Sequence, residues 1–161
     1  MTIQQSQSVK VWAWIEASAR RSRSVRAQVG TITETAGVAL WLPPGAAPAE
    51  ELLVSVIRET VSGERRDAMF SIFEQMDAYH PREAHWHLPL IGVHPDSQGR
   101  GVGSALLRQV LDRCDRDSVP AYLEATSPRN VALYQRNGFE KLGGIEVADC
   151  PPIVPMLRKP R

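Results

Sequence analysis

Apolar positions along this chain repeat with two different periods, and the change from one to the other marks out its elements. Val38, Leu40 and Leu42 alternate with small or polar residues, which predicts a half-buried strand over 37–42. A partner strand is expected over 25–34, joined to it near Thr35 and Ala36. Pro43, Pro44 and Gly45 break the pattern. Pro48, Glu50 and Glu51 then suit a helix start, and Leu52, Leu53, Val56, Ile57, Thr60 and Val61 keep helical spacing up to a stop at Gly63. In a second helix, Met69, Phe70, Phe73 and Met76 form one stripe, read as core. It ends at His80–Pro81. Residues 85–93 (HWHLPLIGV) read as a strand. Pro89 within it cannot donate to a ladder, so a bulge or a one-sided edge is expected there.

From there strand and helix alternate. A helix is expected over 101–115, with Val102, Ala105, Leu106, Gln109, Val110 and Cys114 inward and Leu107 and Leu111 widening the stripe. A strand follows over 121–125, then a short helix over 128–137 ending at Gly138. Strands over 139–142 and 154–157 complete the chain. This alternation favours an α/β fold with partly parallel pairing. Residues 1–24 carry only a weak pattern, a short helix around Val11, Trp12, Trp14 and Ile15.

Composition narrows the class. The 161 residues fit one domain, 1–161, and 43% hydrophobic with 23% charged residues is ordinary for a soluble globular chain. A net charge of +1 gives no global case for nucleic acid or a membrane surface. The local run Arg20, Arg21, Arg23 and Arg26 reads as a solvated face. Cys114 and Cys150 lack metal or redox spacing and are expected as thiols. With no leader pattern and no membrane-length apolar run, a cytoplasmic protein is expected.

The most informative stretch is 93–111, VHPDSQGRGVGSALLRQVL. Gly99, Gly101 and Gly103 fall directly before a helix, where the first N–H groups lack partners and the macrodipole favours negative charge. Bare backbone there, with Arg100 and Ser104 beside it, is the physics of a phosphate cradle. The loop is no Walker A motif, since no Gly-Lys-Ser/Thr follows. Nor is it the dinucleotide pattern, since Leu106 holds the third glycine position.

The run Gln98-Gly99-Arg100-Gly101-Val102-Gly103-Ser104 resembles the Gln/Arg-x-x-Gly-x-Gly/Ala signature of the GNAT acetyltransferase superfamily. The flanks extend the likeness: LIGVHPDSQGRG resembles the family's fourth strand and turn. YLEATSPRNVALYQRNGFE (122–140) resembles its strand, Asn loop, tyrosine helix and Asn-Gly-Phe. ALWLPPG and the ending PPIVPMLRKP are similar to the subgroup of puromycin N-acetyltransferase-like small-molecule enzymes. The resemblance implies a mixed twisted sheet with helices on both faces and a splayed central strand pair, within a domain whose N-terminal 1–24 is short for the family.

The implied activity is acetyl-CoA-dependent N-acetylation of a primary amine on a small molecule, with homodimers common in the family. Peptide acetylation and a non-catalytic acyl-CoA sensor are the alternatives. On the family pattern, acetyl-CoA is the cosubstrate. Gln98, Gly99, Arg100, Gly101, Val102, Gly103 and Ser104 would hold its pyrophosphate. Ile91, Gly92 and Val93 would pair with the pantetheine, the Val93 amide or a neighbour serving the oxyanion, and Asn130 would assist. Tyr134 sits where the family has its acid, touching cofactor and thiolate. Candidate bases, acting through water, are Glu83, His85, His87 and Glu124. His80, His85, His87 and His94 raise a metal alternative, but without nearby cysteine or ligand spacing no metal is assigned.

Overall fold

A computed structural model describes residues 28–32, 36–46, 54, 57–59, 61–147 and 150–161. The expected N-terminal helix, the arginine run and most of the helix after Pro48 lie outside them. Strands β1 (Gln28–Ile32) and β2 (Gly37–Leu42) form a hairpin. Helix α1 (Gly63–Tyr79), strand β3 (Trp86–Val93) and a single 3-10 turn over Pro95–Ser97 follow. Helix α2 (Val102–Asp117), strand β4 (Ala121–Ala125), helix α3 (Pro128–Arg136), strand β5 (Glu140–Lys141) and strand β6 (Val154–Arg158) complete the order. Gly63, expected to stop a helix, instead begins α1, after Ser62 in extended conformation at the N-cap position.

The strands form one mixed sheet in the order β1-β2-β3-β4-β6-β5. Only β3 and β4 run parallel, as the α2 crossover between them requires. Two irregularities shape this centre. Between β2 and β3 the register moves from Leu40↔Leu90 to Leu42↔His87, so Leu88 and Pro89 together oppose Trp41. This is the bulge that Pro89 implied. Between β3 and β4 the pairs are Trp86↔Ala121, His87↔Tyr122 and Leu88↔Leu123, and pairing stops there. Past it, β3 stays with β2 to Val93 while β4 stays with β6 to Ala125. The sheet divides into two halves.

One core lies under both halves. Leu106, Leu107, Val110, Leu111 and Cys114 of α2 pack against Ala39 and Trp41 of β2, Trp86 and Leu88 of β3, and Leu123 and Ala125 of β4. Val131 and Tyr134 of α3, Phe139 and Met156 join them. Gln109, expected inward, is exposed. Strand alternation turns His87, Tyr122 and Glu124 to the opposite face, where His80 at the end of α1 meets them. Here the structure departs from the sequence reading: Met69, Phe70, Phe73 and Met76 are only half-buried and lie outside the buried core. Burial of Cys114 pushes its thiol up to about 11, as suits an inert core cysteine.

A polar latch ties the C-terminal strand to both core helices. Arg158, 4% exposed, binds Asp115 of α2 through two bonds of 2.8 and 2.7 Å. Its Nε donates to the Asn137 carbonyl at the end of α3, and the Arg161 amide donates to Asp115. The Asn137 side chain donates to Ser104 Oγ at 3.1 Å and to the Leu133 carbonyl. The bonds from Arg158, with the Arg161 amide, hold the Asp115 carboxyl down at about 2. A depressed carboxylate contributes stability above its unfolded pKa and loses it as pH falls through the folded one. The latch is therefore at full strength above about pH 4 and is lost on approach to pH 2. Asp115→Ala strands a buried guanidinium, and urea melts at pH 7 should show a loss of about 3 kcal/mol. At pH 2 the difference between variant and parent should nearly vanish.

Candidate active site

The division of the sheet leaves one edge of β3 open. Residues along a strand direct their main-chain groups alternately to either edge. From Leu90 to Val93 one set pairs with β2, and the other faces the gap, with no strand beside it among the described residues. An extended amide chain can add to such an edge.

The turn after β3 delivers the chain to α2. His94 N–H bonds the Ala36 carbonyl, and Gln98 reaches back to donate to the Val93 carbonyl at 3.1 Å. Gly99 and Gly101 have φ of 75° and 82°, the left-handed region that glycine enters without strain. Gly101 is the N-cap of α2, and the first helical bond runs from Ala105 N–H to its carbonyl. The amides of Val102, Gly103 and Ser104 are thus left without helical partners. Gly103 serves a different purpose from the one the sequence suggested: a Cβ there would lie 3.1 Å from Leu133, so its bareness lets α3 close against α2.

These parts line a single cleft of about 560 Å³. Ile91, Gly92 and Val93 form one wall. Ser97, Gln98, Gly99, Gly101, Val102, Gly103 and Ser104 form the turn, and Arg129, Asn130, Leu133 and Arg136 of α3 close it. Ser127 caps α3 by accepting from Asn130 N–H, which leaves the Asn130 side chain to the cleft wall. Two predicted cofactor residues stand apart: Arg100 is exposed outside the wall, and Tyr134 is buried behind it, edge-on to Phe139. Arg129 and Arg136 were not foreseen. Their spacing with Leu133 at i, i+4 and i+7 is one helix face, and that periodicity was the available signal.

The candidate bases fall together on the other face, at the closed end of the gap. Glu124 Oε2 accepts from His87 Nε2 at 3.0 Å, and both side chains are more than nine-tenths buried. That bond fixes the proton on Nε2 and leaves Nδ1 of a neutral His87 bare, buried and unpartnered. Tyr122 Oη beside it is also buried, with the Glu124 carboxylate as its polar neighbour. Burial first, and the neighbouring Glu124 carboxylate second, push this phenol far above its ordinary range. His80 and His85 complete the cluster. The Glu83 side chain is exposed, and it is the Glu83 main-chain carbonyl that meets His85. Among the described residues no group of three or more His, Cys, Asp or Glu side chains is arranged to hold a metal ion, and no helix is long and apolar enough to cross a membrane.

A strand pair that parts over a glycine turn and a helix N-terminus defines the class, and comparison with known proteins gives the family. Residues 63–141 match the acetyltransferase (GNAT) domain family. A crystal structure from Corynebacterium glutamicum, described as histone acetyltransferase HPA2 and related acetyltransferase, superposes with a TM-score of 0.65 at 30% identity, over 97% of this chain and 77% of that one. The chain belongs to the GNAT acetyltransferase family. It is 28% identical over 129 residues to an uncharacterised N-acetyltransferase of Schizosaccharomyces pombe, covering 71% of this chain and 51% of the relative. It is 32% identical over 98 residues to mycothiol acetyltransferase of Brachybacterium faecium, covering 59% and 28%. The chain thus spans about half or less of the curated relatives it matches.

Burial pushes the Tyr134 phenol up to about 12, so this hydroxyl keeps its proton throughout the working range of pH. In an absorbance titration, Tyr134→Phe should leave the phenolate signal below pH 11 unchanged from the parent.

Proposed function

We propose that this protein is an acetyl-CoA-dependent N-acetyltransferase acting on the primary amine of a small molecule. The observation that carries the reading is the convergence of three features on one cleft: an open strand edge, unpartnered helix amides and two arginines. Together they suit a long ligand with an amide-bearing arm and a phosphate end. Acetyl-CoA supplies an acetyl thioester when bound.

In this reading Ile91, Gly92 and Val93 hold the amide arm through main-chain bonds. The amides of Val102, Gly103 and Ser104, with Arg129 and Arg136, hold the phosphates, while Gln98 fixes the turn by its bond to Val93. Asn130 lies against the arm. A main-chain amide near Val93 stabilises negative charge on the thioester oxygen. Tyr134, the family's acid position, gives a proton to the departing thiolate. A phenol held protonated suits that task, and its place on the core side of α3 requires the cleft to reach it through the gap. The attacking amine must be neutral. Glu124 orients His87 so that a bare ring nitrogen accepts the proton, through water, with His85 beside it. The likeness of 39–45 and of the ending PPIVPMLRKP to the small-molecule subgroup supports the acceptor class.

Calorimetry with acetyl-CoA and with CoA tests the cradle directly, and micromolar binding is expected. Gly103→Glu sets a carboxylate against Leu133 at the phosphate end and should weaken binding at least about tenfold; unchanged affinity refutes the cradle. A thiol-release screen over an amine library, with peptides in the same plate, reads the acceptor class. Turnover of peptides alone would overturn the small-molecule assignment. Against the best acceptor, Tyr134→Phe should lower kcat about a hundredfold or more while acetyl-CoA affinity holds.

A further inference from the structure

Helix α1 meets the sheet at an unusual joint. Its C-cap is His80, whose N–H closes the helix on the Met76 and Asp77 carbonyls, and Pro81 follows. The His80 ring stands edge-on to three others: His85 at 4.8 Å between centroids, Tyr122 at 4.9 Å and His87 at 5.2 Å. Its Nε2 lies 3.1 Å from Nε2 of His85. No apolar side chain of α1 is fully buried, so this ring cluster is a main attachment of the helix to the sheet among the described residues.

The protons of the joint can be assigned. His85 Nδ1 lies 2.7 Å from the Glu83 carbonyl, which only accepts, so Nδ1 carries hydrogen. Neutral His85 therefore has a bare Nε2, and His80 donates to it. One added proton, on the outer nitrogen of His80, leaves this bond intact. A second, on His85, sets two N–H groups against each other and breaks it.

We propose that the His80–His85 pair is an acid-sensitive latch that holds the C-terminal end of α1 against the Tyr122–His87–Glu124 face, closed with none or one proton bound and open with two. The charged and titratable groups around it are Asp77 on α1, paired with Arg82 at 3.5 Å, Glu83 in the loop, His87 on β3, and Tyr122 and Glu124 on β4. Burial first, then the His87 and His85 charges, lowers the His80 pKa, against smaller opposing effects of Glu124 and Asp77. Because its pKa is lowered on docking, the first proton, on His80, already weakens docking as pH falls below 6.5, and the second, which sets two N–H groups against each other, opens it. The latch rests on the functional reading only for its consequence: the end of α1 is held against the face that carries the proposed base at neutral pH and released from it in acid.

Hydrogen exchange of the Tyr79 and His80 amides, corrected for intrinsic rates, tests the latch without any substrate. Between pH 7.5 and pH 5 their protection should fall by at least about tenfold, while the β4 amides stay protected. His80→Gln supplies an amide that can either donate to or accept from His85 and cannot be protonated. That variant should keep its protection across the range. Unchanged protection in the parent, or the same loss in His80→Gln, overturns the latch. The latch does not touch the β3–α2–α3 cleft. Absence of acetyl-CoA binding in a protein that still shows the transition would remove the transferase reading and leave the latch standing.

Discussion

The parting of β3 from β4 is the constraint on which the rest of the molecule depends. Pro89 has no N–H to give a neighbour, and the chain absorbs it as a bulge facing Trp41. The bulge changes the direction of β3 just where its pairing with β4 ends, at Leu88 and Leu123. Without that change β3 could run on beside β4, and its main-chain groups would be spent on the ladder. With it, the stretch from Leu90 to Val93 presents donors and acceptors to a gap that no described strand fills. Because β3 then leads straight into the glycine turn, the open edge and the amides at the start of α2 lie along one continuous path.

A split sheet needs something to hold its halves at a fixed spacing. Helix α2 does this from below, with one apolar face lying across β2, β3 and β4. The polar latch does it from the side. Arg158 ties β6 to Asp115 of α2 and to the end of α3, and Asn137 ties that same end to Ser104 at the cleft. Ser104 therefore both lines the cleft and anchors the network that positions α3. The close approach of α2 to α3 relies on the absence of a side chain at Gly103, opposite Leu133. Geometry at the cleft is thus set by core packing and by a buried ion pair far from it in sequence.

Most of the strands and the glycine turn were legible in the sequence because each rests on local rules. Alternation gave β2 to the residue, and the spacing of Leu106, Val110 and Cys114 gave the buried face of α2. Pro89 narrowed its site to a bulge or a one-sided edge, since it has no N–H for a ladder, and the structure takes the bulge. The failures have a common cause. The Met69–Met76 stripe has the period of a core helix, but period says only that a face is apolar, not how deeply the neighbouring elements will cover it. Gly63 is equally at home after one helix and before the next. The Arg158–Asp115 pair and the His87–Glu124 pair join residues dozens of positions apart, and no local pattern announces such partners. Tyr134 was visible as a tyrosine on the right helix. That its ring turns to the core while Arg129 and Arg136 take the cleft follows from where the sheet lies, which spacing alone does not give.

The two faces of the sheet divide the chemistry. Under α2 and α3 the packing is mostly apolar, the buried Trp41 indole N–H being a polar atom within it. On the α1 side, His87, Tyr122 and Glu124 are buried together on either side of the last β3–β4 pair, and the His87 Nδ1 is left unpartnered. Such an arrangement does little for stability. Taking a carboxylate out of water costs several kcal/mol before any partner returns part of it, and the bare, buried Nδ1 of a neutral His87 adds about 1–3 kcal/mol more. Apolar residues of similar volume would fill the same space at lower cost. Among the described residues these buried titratable groups lie beside the point where β3 and β4 part, which is where the proposed reaction would need a proton taken up. The histidines that extend the cluster to the end of α1 tie that helix end to the same face, so that the charge state of these rings and the docking of α1 are coupled.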